Sequence, residues 1–338
     1  IITDGVSVRY LLHELGLRYG AAVRGQDEPG PAGALQYADF ADWQRREWSE
    51  EALAGRLGHW RERLAGLSTL DLPADHPRPA ARSARGALHQ VTVPATTLAR
   101  VREIAERSGT TLFTVLLAAT DLLLSRYSGQ RDVAVGTVTT GRNQPELEQM
   151  LGFFVNTVVL RADVDVSEPF DALLEQVRDD LVDAFANQEV PLERLVEIVR
   201  PDRDAGRTPL FQAIVMMQDA WFHGTEIEGL RLEKQELPQL VCITDLTVEF
   251  GERASGLVVS FGYSTDLFEA ATVHRLAADF LALLDALQVS DARPMHRMMP
   301  TAPEHRALLR EWNDTAADYP SDRPLHELFA EVAAAVPD

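Results

Sequence analysis

Asp4 stands beside Gly5 at the head of an amphipathic run. A carboxylate there suits a turn held by the positive end of a helix, and reads as a scaffold group rather than an acid or base. Gly5 suits a backbone geometry or close approach that a side chain would block. Asn156 interrupts an apolar strand pattern, with Phe154, Val158 and Leu160 on its own face. A buried amide must find hydrogen-bond partners, so the reading is a side chain that pins a loop. Arg207-Thr208-Pro209 reads as a corner that caps the next strand or ties one segment across another. Of nine histidines, none pairs with another at ligand spacing, and His13 falls on the polar face of its helix. The single cysteine, Cys242, excludes an internal disulfide framework and a multi-thiolate zinc site, and reads as a buried structural thiol. The chain has no Gly-rich phosphate loop, no HExxH helix and no G-x-S-x-G elbow.

The elements that must position these residues come from an ordinary globular composition. The chain has 338 residues, 46% hydrophobic and 25% charged, a size that fits two lobes or two domains. Its 52 acidic residues outweigh 32 basic ones, giving a net charge of −20. Nucleic acid is therefore excluded as the main ligand, because phosphate neutralisation needs clustered Lys and Arg. No uninterrupted apolar stretch approaches the roughly 18 residues of a membrane span. A soluble, cytoplasmic protein with no membrane partner is expected. The chain opens on Ile1 and stops at Asp338 after an amphipathic stretch, and both ends read as cuts in a longer polypeptide.

Ser7 is read as the cap of a first helix through Val8, Leu11, Leu15 and Tyr19, ending at Gly20. A loop follows over Arg24–Ala34, then a helix from Tyr37 through Phe40, Trp43 and Trp48, and a run through Leu57, Trp60 and Leu64. The three tryptophans are expected to pack inside. Pro73–Arg85, rich in Pro, Arg and Ala, reads as a linker. Beyond it, helices are expected at Leu98–Arg107, Leu112–Tyr127, Phe170–Phe185, Pro191–Val199 and Thr272–Leu287. Strands are expected at Asp132–Val138, Phe153–Arg161, Leu210–Met217, Val241–Phe250 and Leu257–Tyr263. The alternation implies an α/β or α+β sandwich. The chain then reads as polar and Pro-punctuated to Asp322, with a short helix at Leu325–Ala335.

Five segments in order between residues 1 and 212 carry a more specific signal. Ile1-Ile2-Thr3-Asp4-Gly5 resembles the tail of the HHxxxDG motif of nonribosomal peptide synthetase condensation domains. Tyr37–Gln44 is similar to the family's YxDFAxWQ, and Leu151–Thr157, ending at Leu160-Arg161, to its GxFVNTxxLR strand. Asn187–Glu193 resembles HQDVPFE, with Asn187 where the family usually has His. Arg203-Asp204 with Arg207–Gln212 resembles RDxSRxPLFQ. The resemblance implies a chloramphenicol acetyltransferase-like fold of two lobes in a V around a tunnel. It divides the chain into residues 1–72, a remnant of the N-terminal lobe, 73–85, an inter-lobe linker, and 86–290, the C-terminal lobe. Residues 291–322 would be a linker. Glu311–Thr315 and Leu325–Phe329 look like the approach to an adenylation domain, which would start at 323–338.

The implied reaction joins a donor acyl or peptidyl thioester to an acceptor aminoacyl thioester. Phosphopantetheine arms of upstream and downstream peptidyl carrier domains deliver both, with no cofactor bound directly and no metal. Both motif histidines would precede Ile1, so the chain alone is expected to be inactive. A free amine, pKa about 8, is a stronger base than an imidazole, pKa about 6.5, so positioning the amine outweighs deprotonating it. The resemblance makes Asp4 an ion-pair partner of Arg142, in Thr140-Gly141-Arg142-Asn143, that shapes the active-site loop. It places Asn156, Arg207 and Pro209 among motif or tunnel residues, with loop pinning favoured over contact with a pantetheine arm for Asn156. Two other readings stay open: an epimerisation domain of the same superfamily, and a non-catalytic carrier-recruiting module.

Overall fold

A computed structural model describes residues 3–26, 35–200, 204–218, 227, 229–230, 241–253, 256–298, 303–316 and 324–335. Ile1, Ile2, most of the Arg24–Ala34 loop, Arg203 and parts of the stretch from 291 to 322 lie outside the described residues. The chain divides into two compact units, Ile1–Pro300 and Thr301–Asp338.

The first unit opens with three helices, α1 (Gly5–Val23), α2 (Tyr37–Glu47) and α3 (Glu50–Arg63). Then follow β1 (Gly86–Thr92), α4 (Ala95–Arg107), α5 (Leu112–Ser128), β2 (Asp132–Thr139), β3 (Asn156–Asp163), α6 (Phe170–Ala186) and α7 (Leu192–Val199). The unit continues with β4 (Ala213–Gln218), β5 (Leu246–Arg253), β6 (Gly256–Ser264) and α8 (Ala270–Ala286). Among the described residues, six strands form one mixed sheet in the order β1-β6-β5-β4-β2-β3. The inner pairs β2/β4 and β4/β5 run parallel, whereas β2/β3, β5/β6 and β1/β6 are antiparallel. Continuous apolar runs such as Val133–Val135 and Ala213–Val215 are buried, as strands covered on both faces must be. Helix α5 is predominantly apolar and buried on every face from Thr114 to Ser125, between its neighbours α4, α6 and α8 and the sheet. Each leucine so buried contributes about 1.5–3 kcal/mol.

Several boundaries differ from the sequence reading for local reasons. Asp4, not Ser7, caps α1: its carboxylate accepts the Ser7 N–H at 2.8 Å. Strand β3 starts at Asn156 rather than Phe153, because residues 152–154 turn their backbone groups toward α1 and α2. Strand β4 starts at Ala213, since Leu210 lies in the left-handed region at φ 70° and the Phe211 N–H bonds the Pro209 carbonyl. Strand β5 starts at Leu246, and Cys242 precedes it as a buried free thiol against the Thr244 carbonyl. Pro191 is the cap of α7, one place before the first turn. Strand β1 lacks a clear apolar alternation because it is a half-exposed edge. Of the tryptophans, Trp60 is 1% exposed but Trp43 is 39% exposed, so only part of that expectation stands.

The Pro73–Arg85 stretch is tied down along its length. The Asp75 and His76 N–H groups donate to the Leu267 carbonyl. Arg78 forms a 2.5 Å pair with buried Asp245, and Ser83 and Arg85 bind Asp266. In the second unit, the stretch read as irregular contains the helix Pro303–Asn313, followed by Leu325–Ala335. Pro303 is its first residue, a position proline favours.

Asp121 sits in the middle of α5 with one carboxylate oxygen lacking any hydrogen-bond partner. Burial, with Asp180 of α6 second, pushes its pKa well above the usual carboxylate range. The folded chain therefore holds this proton where the unfolded chain releases it. Stability contributed here falls as pH rises from about 3.9 through the folded-state value. Asp121→Leu should stabilise the protein by about 1–3 kcal/mol at pH 7.5 and by less at pH 4.5, read from urea unfolding at both pH values.

Candidate functional site

The first turn of α1 meets the connection between β2 and β3. That hairpin is in register to its end, Thr139 opposite Asn156, and residues 140–155 leave it as a connection. Three sequence segments far apart in the chain converge there: Asp4 to Ser7, Tyr37 to Phe40, and Gly141 to Phe154.

Asp4 and Arg142 form the centre. Arg142 Nη2 donates to both carboxylate oxygens of Asp4, at 3.0 and 3.2 Å, and to the Ser7 hydroxyl at 2.8 Å. The side chains of the pair are 4% and 1% exposed, Arg142 first. Asp4 also accepts the N–H of Ser7 at 2.8 Å and of Phe154 at 3.1 Å, while its own N–H donates to the Gly152 carbonyl. Arg142 Nη1 donates to the carbonyls of Leu147, Glu148 and Met150, so the guanidinium also folds its own loop. Its plane lies over the Phe154 ring, 4.2 Å from the centroid.

Ser7, fully buried, is the residue the sequence reading undervalued. Its hydroxyl donates to the Gly152 carbonyl at 2.8 Å and accepts the Gly152 N–H at 3.0 Å. The available signal was its place three residues after Asp4, within reach of the same carboxylate. Gly5 is the first residue of α1. Two other glycines of the site, Gly152 and Gly141, lie where a side chain would collide. A Cβ on Gly152 would lie 2.1 Å from Tyr37 Cδ2, and one on Gly141, at φ +63°, would lie 2.0 Å from the Phe154 carbonyl oxygen. Tyr37 closes the arrangement by donating its hydroxyl to the Phe153 carbonyl at 2.8 Å, and its ring meets Phe154 edge-on. Phe40, Leu147, Met150 and Phe154 form a small separate core beneath.

Asn156 extends the network. Its amide donates to the carbonyls of Gln188 and Val190 at 2.7 and 2.8 Å, and its oxygen accepts the Thr157 N–H. Asn143, next to Arg142, reaches Glu189 of the same segment at 2.9 Å. The segment from Asn187 to Glu193 is thereby joined to the β2–β3 connection. Arg207 and Pro209 belong to another place. Arg207 binds Asp71 at 2.8 Å, tying its corner to the chain beyond α3, and both residues line a separate groove.

The Asp4 cluster is built to hold shape. Burial pushes the Asp4 pKa up, but the N–H and hydroxyl of Ser7, the Phe154 N–H and Arg142 outweigh it and leave the carboxyl below its usual range. A carboxylate with that many donors is a poor base, and a guanidinium keeps its proton.

Removing either partner strands a buried charge. Arg142→Ala or Asp4→Ala should each cost about 3–5 kcal/mol in urea unfolding at pH 7, and the double variant less than the sum. The Asp4 contribution is present above the unfolded value of about pH 3.9 and lost as pH falls through the lower folded value. Asp4→Asn should flatten that acid limb of the stability profile.

The family described as Condensation domain matches residues 1–309. The chain is 38% identical over 342 residues to a linear gramicidin synthase of Brevibacillus parabrevis, aligning across 100% of this chain and 7% of that protein. It thus spans less than a tenth of that relative's length. Among solved structures, the X-domain from teicoplanin biosynthesis superposes with a TM-score of 0.80 at 26% identity, over 87% of this chain and 69% of that one. A holo four-domain nonribosomal peptide synthetase bound to AMP and glycine superposes with a TM-score of 0.75 at 25% identity, over 89% and 24% of the two chains. The resemblance carried by the five segments is borne out, and the chain belongs to the condensation-domain family.

Proposed function

We propose that this chain is part of a nonribosomal peptide synthetase, where it supports amide formation between two carrier-bound thioesters. The donor acyl or peptidyl group and the acceptor aminoacyl group would arrive on phosphopantetheine arms of peptidyl carrier domains. The acceptor amine attacks the donor carbonyl, forming the amide and releasing the donor carrier's thiol. The observation that carries this reading is the buried Asp4–Arg142 pair, which fixes the residues after Thr3 against the β2–β3 connection. Asp4 and Arg142 act as positioning residues: they hold the segment that the HHxxxDG resemblance makes the reaction centre. Orientation of two reactants can lower a barrier by about 7–11 kcal/mol, so a rigid support has a chemical purpose.

The reading includes the organisation of the chain. Residues 1–72 would belong to the N-terminal lobe and 86–290 to the C-terminal lobe, joined by 73–85. Residues 323–338 would begin an adenylation domain, consistent with a family match that ends at residue 309.

The test uses the complete synthetase with loaded donor and acceptor carriers, following dipeptidyl thioester by mass spectrometry. Arg142→Ala should lower the single-turnover rate by on the order of 100-fold, with Arg142→Lys intermediate and carrier loading unchanged. A product epimerised at Cα, with no new amide, would instead assign the chain to the epimerisation branch.

A further inference from the structure

Two histidines far apart in the chain meet ring to ring. His89 lies in β1, at the edge of the sheet, and His274 in the second turn of α8, which packs on that strand. Their ring centroids are 4.0 Å apart and their planes are tilted by 41°. His89 is half-buried and His274 exposed. Opposite His89 in β6 stands Phe261, whose ring meets Phe280 of α8, so this face of the sheet looks toward the helix.

The charged groups on the surrounding elements are engaged elsewhere. On α8, Arg275 donates to the Thr272 hydroxyl, Asp279 accepts from Tyr127, and Asp285 accepts from Thr97 and pairs with Arg100 of α4. Asp75, in the Pro73–Arg85 stretch, accepts the Glu269 N–H and the Thr272 hydroxyl at the head of α8, both at 2.8 Å. On α4, Arg102 pairs with Glu252, Arg107 bonds Ser290, and Glu103 and Glu106 are exposed. Helix α5 brings Asp121, whose charged neighbour is Asp180, and Arg126, which acts on Tyr127. Strand β6 carries no charged residue, and β1 carries His89 alone. His59, by contrast, has Asp183 at 3.1 Å. Burial and then His274 hold the His89 imidazole below its ordinary range, and no carboxylate opposes them. Among the described residues, no group of three His, Cys, Asp or Glu could hold a metal, so the two rings face each other rather than an ion.

We propose that His89 and His274 form a proton-operated contact that holds β1 to α8 at neutral pH and releases it in acid. Two neutral imidazoles can share a face. Two imidazolium ions at that separation repel, and the half-buried one has no counter-charge. The folded chain takes up the His89 proton at lower pH than the unfolded chain does. The contact therefore stabilises fully above about pH 6.5, and that stability is lost as pH falls toward the lower folded value. The release is local. A strand at the edge of the sheet, paired with β6 alone, follows more readily than the inner strands. The head of α8 also carries the bonds to Asp75, so loosening it frees one end of the Pro73–Arg85 stretch. This inference stands independently of the condensation reading.

The test follows the imidazole Hε1 shifts of the 338-residue chain by NMR from about pH 8 to about pH 5. The His89 midpoint should lie below about 6.5 and rise toward that value in His274→Gln, a change at an exposed position. Amide hydrogen exchange, corrected for the intrinsic effect of pH, is read alongside. Between about pH 7.5 and about pH 5.5, protection should fall about fivefold in Gly86–Thr92 and the first turns of α8, while β2 and β3 keep theirs. His89→Phe retains a ring at the contact and should abolish that fall. A His89 midpoint unmoved by His274→Gln, an equal fall in His89→Phe and the wild type, or an equal fall in β2 and β3 would overturn the proposal.

Discussion

Two opposite charges sealed away from water constrain this molecule more than any other feature. Neither the Asp4 carboxylate nor the Arg142 guanidinium is tolerable alone at that depth, so the chain must bring residues 138 positions apart into contact. Arg142 then spends Nη1 on the carbonyls of its own loop, which fixes the path from Leu147 to Met150, while its buried Nε has no hydrogen-bond partner. Asp4 does the same for the first turn of α1. The pair is at once a cap, a loop template and a bolt between two parts of the fold.

The sheet makes that bolt useful. Strands β2 and β3 are paired along their full length, so the connection between them starts and ends at fixed points. Asn156, at the foot of β3, binds the carbonyls beyond α6, and Asn143 binds Glu189 in the same segment. Two independent hydrogen-bonded routes therefore reach the β2–β3 connection from the far side. Glycines at 141 and 152 let backbone and the Tyr37 ring approach where any Cβ would collide. What results is a rigid support whose ionisable groups are spent on structure.

The corner at Arg207 to Gln212 is a second, separate polar network. It too is anchored, through Asp71, Asp204 and the Thr208 carbonyl, and three of its buried polar atoms have no hydrogen-bond partner. Both arise from segments that the sequence marks in the same way, as short polar motifs among apolar runs.

Much of the scaffold was legible because burial imposes periodicity. Helices α5 and α6 and strands β2 and β6 follow from the spacing of their leucines and valines, and the fold class follows from their alternation. Edge strand β1 was not legible, since a half-exposed strand carries His89, Gln90 and Thr92 with no clean alternation. Asp4, Arg142 and Asn156 could be picked out by residue type and resemblance, but Ser7 looked like a cap, because a serine before a helix and a serine three residues into it share the same local text. The sequence alone determined which segments are helical, which are buried and which family the motifs belong to, since those depend on local composition and order. Only the tertiary structure decided that the Asp4, Tyr37 and Phe154 segments meet while the Arg207 corner stands apart, because which buried charges and orphan polar atoms face one another is a property of packing across the chain.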